Sequence, residues 1–430
     1  MINVKYSIKN EFISKFRKIN SINLFLLFIF SSCSSENKSP LPDKENPEAI
    51  KPNPEIVEPN EKGEVSFYKG TTMGFAKHQE EFGNVVFKEE GKPKDPYLSL
   101  YDHGANIARF RIDLPPYKNN YTIGEVDLDY RSPKKVKSEI QRSEKAGLKT
   151  LLTFSYKSMA LEEKNLKNEY VAPLEWQPIA NDLGKLKAAV YKHTYDILKD
   201  YVNSGIEPAI VSIGNETNWR FIEQNMTEDE LPAYDSSRVV ALLNSGTKAV
   251  RDINKEYSLD MKIVIHLFDA SKIKWWLGEH LGLDYDVLGL SHYHELHKMG
   301  DFTSWRAVVK WVKSTYKKDF MILETAQLFR QGGNDSHVDI LGLENIPSGY
   351  INPPTTATQR LYLKDLGQEI LDAGGLGLIV WGGEWVGSEV RVYADKWGQG
   401  SSWENKAFWE FDHNLHDGVN WMQDVKVKQQ

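Results

Sequence analysis

The sequence predicts an α/β fold, a closed (β/α)8 barrel, and three observations carry that prediction. Short β-rich runs alternate with longer segments whose apolar residues recur three and four positions apart, the signature of strand–helix units. Eight such runs can be read along the chain, the number that closes a parallel barrel. The runs are continuously apolar instead of alternating, as expected when helices cover the outer face of a parallel sheet. A doubly wound open sheet is the competing architecture. It is disfavoured because no glycine-rich phosphate turn follows the first run and eight units suit closure better.

In chain order the strands are expected over residues 65–75, 105–113, 149–155, 209–216, 262–267, 287–293, 320–325 and 377–381. Helices are expected over 134–146, 183–202, 237–254, 303–316 and 358–373, between those strands. Gly147 and Gly205 fall just past the first two helices, where glycine stops a helix at little steric cost.

Two further segments precede the barrel, which is assigned to residues 64–430. Residues 1–32 read as a secretory signal of the lipoprotein kind: Lys5, Lys9, Lys15, Arg17 and Lys18, then an almost wholly apolar stretch from Ile22 to Phe30, then Ser31 and Ser32 before Cys33. The apolar stretch is too short for a mature membrane span. Cys33 is the only cysteine of the 430 residues, and its place directly after the signal makes it the expected lipidation site. Phe30 departs from the smaller aliphatic residue usual there, and an ordinary signal peptide is the alternative. Residues 33–63, with six of the chain's 18 prolines and no apolar periodicity, read as a disordered tether. At about 3.1 Å per residue it reaches roughly 90 Å when extended.

A net charge of −7 and a pI near 5.9 argue against a nucleic-acid partner or an anionic membrane surface, and are compatible with a neutral polysaccharide. Twelve Trp and 20 Tyr exceed what a barrel core requires, so part of this aromatic surface is available to stack on sugar faces.

Polar residues gather where the expected strands end: Arg109, Arg111 and Asp113, Asn215 and Glu216, His266, His292, Tyr293 and His294, Glu324, and Trp381. In a (β/α)8 barrel all of these ends open on one face, which carries the active site. Glu216 ends the fourth strand and Glu324 lies at the end of the seventh, so both carboxyls reach the same mouth. Two facing carboxyls are what retaining glycoside hydrolysis needs, one to protonate the leaving oxygen and one to attack the anomeric carbon. His292, His294 and His297 lack the glutamate spacing typical of zinc sites, so no metal and no cofactor is expected. Asp269, Glu295 and Glu384 are further carboxylates near the mouth.

The run Phe110-Arg111-Ile112 after Asp102-His103-Gly104-Ala105-Asn106, then Ile213-Gly214-Asn215-Glu216, His266, Gly289-Leu290-Ser291-His292-Tyr293, Glu324-Thr325, Trp381 with Trp385, and Ser402-Trp403-Glu404-Asn405-Lys406-Ala407 together resemble glycoside hydrolase family 53. Members are endo-β-1,4-galactanases acting on galactan and type I arabinogalactan. The resemblance implies Glu216 as acid/base, Glu324 as nucleophile, Asn215 on the sugar 2-hydroxyl, Arg111 bonded to the nucleophile and Tyr293 donating to it. His266, His292, Trp381 and Trp385 would line the substrate. The expected partners are a polysaccharide and, through the lipid anchor, the cell envelope or outer membrane, with the protein a monomer. A glycan-binding pseudoenzyme and a retaining mannanase or glucanase are the alternatives.

The chain also departs from the family. A His-Tyr-Ser-Asp run after strand three is reduced to Ser155-Tyr156-Lys157-Ser158, a Trp-Glu-Pro after strand eight becomes Trp381-Gly382-Gly383, and a strand-two Trp becomes Asp113. The proposed pair survives while neighbouring sugar contacts change, so an altered substrate preference is expected.

Overall fold

A computed structural model describes residues 67–115, 129–158, 171–224, 232–388 and 400–426, together with 118–119, 126–127 and 226. The expected signal at 1–32, the tether at 33–63 and Cys33 lie outside the described residues.

Eight parallel strands close into a barrel: β1 (Tyr68–Thr72), β2 (Ile107–Leu114), β3 (Lys149–Ser158), β4 (Ile210–Ile213), β5 (Lys262–Phe268), β6 (Val287–His292), β7 (Asp319–Thr325) and β8 (Gly377–Val380). Each pairs with its neighbours in sequence, and β8 returns to β1 with Gly70 opposite Ile379. The principal helices are α1 (Ala76–Phe82), α2 (Pro96–Asp102), α3 (Pro133–Lys145), α4 (Leu183–Val202), α5 (Ser236–Tyr257), α6 (Ile273–Glu279), α7 (Trp305–Tyr316) and α8 (Thr356–Asp372). The five expected helices are α3, α4, α5, α7 and α8. The three that periodicity did not reveal, α1, α2 and α6, are only two turns long.

Local chemistry starts the long helices where they start. Ser132, Asp182, Asp235, Ser304 and Thr355 each turn a side-chain oxygen onto a first-turn N–H of α3, α4, α5, α7 and α8. Pro133, at the first position of α3, gives up an N–H that would have had no helical partner.

Side chains alternate across each strand, and here both faces are apolar. Outward residues such as Phe110, Leu152, Val211, Ile265 and Leu290 join the main core beneath the helices. Inward residues from all eight strands, Tyr68, Ile107, Leu151, Ile210, Val264, Val287, Met321 and Ile379, make a separate apolar floor inside the barrel. Two residues above Ile107 the inward position is Arg109, which begins the polar tier that opens towards the strands' C-terminal ends.

Strand β7 carries a bulge near its C-terminal end. Across β6 and β7, Leu290 pairs with Ile322 but Ser291 pairs with Glu324, so β7 holds one extra residue. The β7–β8 register shifts over the same stretch. Strict alternation would send Leu323 and Glu324 to opposite faces. With the bulge, Leu323 joins the interior floor while Glu324 also faces into the barrel.

Gly289 on β6 keeps room between Val264 of β5 and Leu323 of β7; a Cβ there would sit 2.8 Å from Val264 Cγ1. Gly289→Ala is therefore expected to overpack the floor by about 1–3 kcal/mol and lower the midpoint of thermal unfolding. An unchanged midpoint would mean that the barrel interior yields at no cost.

Candidate active site

The tier above the floor is organised by Arg109, which is fully buried. Its Nε donates to Thr153 Oγ1 on β3 (3.1 Å), Nη2 to Asn215 Oδ1 beyond β4 (2.8 Å) and Nη1 to Glu324 Oε1 on β7 (2.5 Å). A buried guanidinium is tolerated only when its donors and its charge are met, and here groups on β3, on β7 and just beyond β4 meet them. Tyr293, one residue past β6, donates its hydroxyl to the other oxygen of Glu324 at 3.3 Å. Because Asn215 Oδ1 accepts from Arg109, its amide NH2 is left facing the mouth as a donor.

Glu216 is positioned differently. It adopts φ +52, in the left-handed region that costs a glutamate on the order of 1 kcal/mol or more. The turn is held by Thr217, whose N–H donates to His266 O (2.8 Å), and by Asn218, which exchanges side-chain hydrogen bonds with the backbone of Phe268. Ser291 Oγ on β6 donates to Glu216 Oε1 at 2.6 Å, and His266 Nε2 on β5 lies 2.9 Å from the same hydroxyl. Since the one hydroxyl proton goes to Glu216, His266 Nε2–H is the donor in the second contact. Burial, with Arg109 and Arg111 nearby, pushes His266 well below the usual histidine range, so the imidazole is neutral. Ser291 is also the residue registered opposite Glu324. The two glutamates thus belong to one ring of contacts around one mouth.

Comparison with known proteins now gives this ring a family. Residues 68–422 match the family model described as Glycosyl hydrolase family 53. An arabinogalactan endo-β-1,4-galactanase of Cellvibrio japonicus is 31% identical over 356 residues, covering 80% of this chain and 86% of the relative. An endo-β-1,4-galactanase of Bacillus subtilis is 25% identical, covering 89% and 87%. Among solved structures, the Ignisphaera aggregans GH53 catalytic domain superposes with a TM-score of 0.70 at 24% identity, over 87% of this chain and all of that one. The chain belongs to glycosyl hydrolase family 53. It is accordingly a glycoside hydrolase.

The family 53 barrel corrects one assignment implied by the resemblance. The arginine on Glu324 is Arg109, not Arg111. Arg111 points inward one step nearer the mouth, where its Nε bonds Asp113 Oδ1 at 3.0 Å. Asp113 also accepts from Arg131 (3.2 Å) and from Ser155. Burial alone would raise the Asp113 carboxyl, but Arg111, Arg131 and Ser155 outweigh it and hold it below the usual range. Asp113 and Ser155 are two of the positions where this chain departs from the family. They sit on adjacent strands and bond each other, so these two departures form one polar unit.

His292 faces away from the mouth. As the residue after inward Ser291 it points to the helices, edge-on to Trp305 of α7 at 4.8 Å, and burial lowers it to about 3. His294 pairs with Glu295 at 3.3 Å, and His297 Nδ1 lies 3.1 Å from Ser291 O, so the three histidines do not converge. His297 also meets the Tyr293 ring at 5.4 Å, and so supports a residue of the site that periodicity alone could not have linked to it.

An aromatic wall rises from β8. Trp381 lies under the Arg109 guanidinium, 5.6 Å from ring to Cζ, and Trp385 packs edge-on to it at 4.8 Å. Trp385 is 2% exposed and also touches Phe75, which makes it a backing for Trp381. Trp403 completes the wall beside Tyr293 (5.3 Å) and Trp381 (6.3 Å). The rest of the Ser402–Ala407 motif is structural: Ser402 O and Asn405 O accept from the N–H groups of Ile340 and Phe329, tying down the loop after β7.

Of the spare carboxylates, Asp269 caps Ser271 N–H (2.9 Å) and Glu295 pairs with Lys298. Glu384 is fully buried behind the wall, where its Oε1 accepts from Phe75 N–H at 3.3 Å. Burial raises its carboxyl from 4.5 to about 8. Below pH 4.5 both the folded and unfolded chains carry this proton. As pH rises towards 8, only the unfolded chain releases it, so stability is lost across that window. Glu384→Gln keeps the hydrogen-bonding shape without titrating. Thermal midpoints at pH 5 and pH 8 should therefore fall less in the variant than in the wild type; parallel falls would show that Glu384 is not held neutral.

Proposed function

We propose that the protein hydrolyses β-1,4-galactan or arabinogalactan within the chain and with retention of configuration. Glu324 is the nucleophile and Glu216 the acid/base. The observation that carries this reading is the shared ring of contacts in which Arg109 grips Glu324 and Asn215 while Ser291 holds Glu216 across the same mouth. The names of the Cellvibrio and Bacillus relatives support the choice of substrate.

In the first step the Glu324 carboxylate attacks the anomeric carbon as the glycosidic C–O bond breaks, and Glu216 gives its proton to the departing oxygen. The product is a glycosyl ester on Glu324. In the second step Glu216, now a carboxylate, takes a proton from water as that water attacks the same carbon and releases Glu324. Arg109 and Tyr293 keep the attacking carboxylate from rotating, each holding one of its oxygens. The Asn215 amide donates to the sugar 2-hydroxyl, a bond that strengthens as the ring flattens in the transition state.

Glu324→Gln is expected to lower kcat by roughly 1,000-fold or more with the fold intact, because an amide cannot form the ester. Glu216→Ala should lose activity on polysaccharide far more than on aryl glycosides with good leaving groups, which need little protonation. A Glu324→Gln variant keeping about a tenth of wild-type activity, or equal losses on both substrates for Glu216→Ala, would overturn the assignment.

We also propose that residues 1–32 are removed and that lipid on Cys33 anchors the enzyme to the cell envelope. The support is the basic, apolar, Ser-Ser-Cys order followed by a proline-rich tether. Wild-type protein from the native host should enter the detergent phase on partitioning and Cys33→Ala should not; wild type in the aqueous phase refutes the anchor.

A further inference from the structure

Most tryptophans of the described residues are buried or half-buried, but Trp219 is 36% exposed and Trp275 40%. They lie together. The Trp219 and Tyr234 rings are parallel, 4.7 Å apart with planes 6° from each other, and Trp275 lies 5.7 Å from Trp219 at 35°. We infer that Trp219, Tyr234 and Trp275 form a sugar-stacking platform for the leaving-group half of the galactan chain.

The position comes from the backbone. Trp219 is three residues beyond Glu216 on the loop between β4 and α5, and the Thr217 and Asn218 bonds to β5 lock this loop against the end of that strand. Trp275 stands on α6, immediately after β5, so both indoles belong to the face on which the glutamates open. An acid/base residue sits beside the oxygen that departs, so the surface continuous with Glu216 meets the sugars on the departing side. The Trp381 wall rises from β8, across the barrel from β4 and β5. A chain lying over the mouth therefore meets the platform at the end opposite the Trp381 wall.

The platform is braced from below. Tyr234 Oη is 2.5 Å from His280 Nε2, and His280 in turn stacks on buried Trp276 at 3.9 Å and 11°. Such bracing holds flat rings in place while leaving indole surface in water. β-Galactopyranose suits it, because its axial 4-hydroxyl leaves the C–H groups of carbons 3, 4 and 5 together on one face, and those pack on an aromatic ring. This inference rests on the galactanase reading, and its test separates the two.

Trp219→Ala, Trp275→Ala and Trp219→Phe are compared with wild type in the full chain. The substrates are long linear β-1,4-galactan and a nitrophenyl β-galacto-oligosaccharide with no sugar on the leaving side. The alanine variants should raise KM on galactan about tenfold with kcat little changed, and alter kcat/KM on the nitrophenyl substrate by no more than about twofold. Trp219→Phe, which keeps a flat ring, should recover most of the loss. Equal losses on both substrates, or unchanged KM on galactan, would overturn the platform; Trp275→Ala decides the matter if Trp219→Ala fails to fold. Wild type inactive on galactan would instead sink the functional reading itself.

Discussion

The Arg109 guanidinium is the contact on which the rest of this barrel depends. A cation with no exposure to water is tolerated only if its charge and donors are matched, and leaving it unmatched costs several kcal/mol. Thr153, Asn215 and Glu324 supply the match from three other strands or strand ends. The same bonds that make the arginine tolerable fix the rotamer of Glu324 and the amide orientation of Asn215. Interior stability and site geometry are therefore one arrangement, and the apolar floor below it serves to exclude water from both.

The two glutamates are held by different groups. Glu324 accepts from the Arg109 guanidinium and the Tyr293 phenol, and Glu216 accepts from the Ser291 hydroxyl, which His266 backs. Retaining hydrolysis asks one carboxyl to attack and another to carry a proton back and forth, and the two are held by separate sets of contacts. The strain in Glu216, held at positive φ by Thr217 and Asn218, belongs to the same division, since it aims one side chain at the mouth at the expense of local backbone ease.

The departures from the family pattern look milder in three dimensions than in one. Asp113 and Ser155 replace larger or differently charged groups, yet they bond each other and share Arg111 and Arg131. Glu384, which reads as a spare mouth carboxylate, lies behind the tryptophan wall and serves packing. What changes is the lining of the mouth beside β2 and β3 and, at Gly382-Gly383, after β8, while Arg109 still bonds Glu324 and Asn215.

The sequence by itself determined the eight strands, the five long helices and the two strand ends that carry Glu216 and Glu324, because apolar periodicity and helix caps are local properties. It could not tell Arg109 from Arg111, since both point inward and only depth in the barrel separates them. Nor could it place His292, which follows an inward serine and so faces the helices. The inward turn of Glu324 was beyond it as well: alternation from Met321 and Leu323 points that residue out, and the extra residue in β7 brings it in. Depth, register and bulges are set by how strands pair across the barrel, and no local stretch of sequence records its partner.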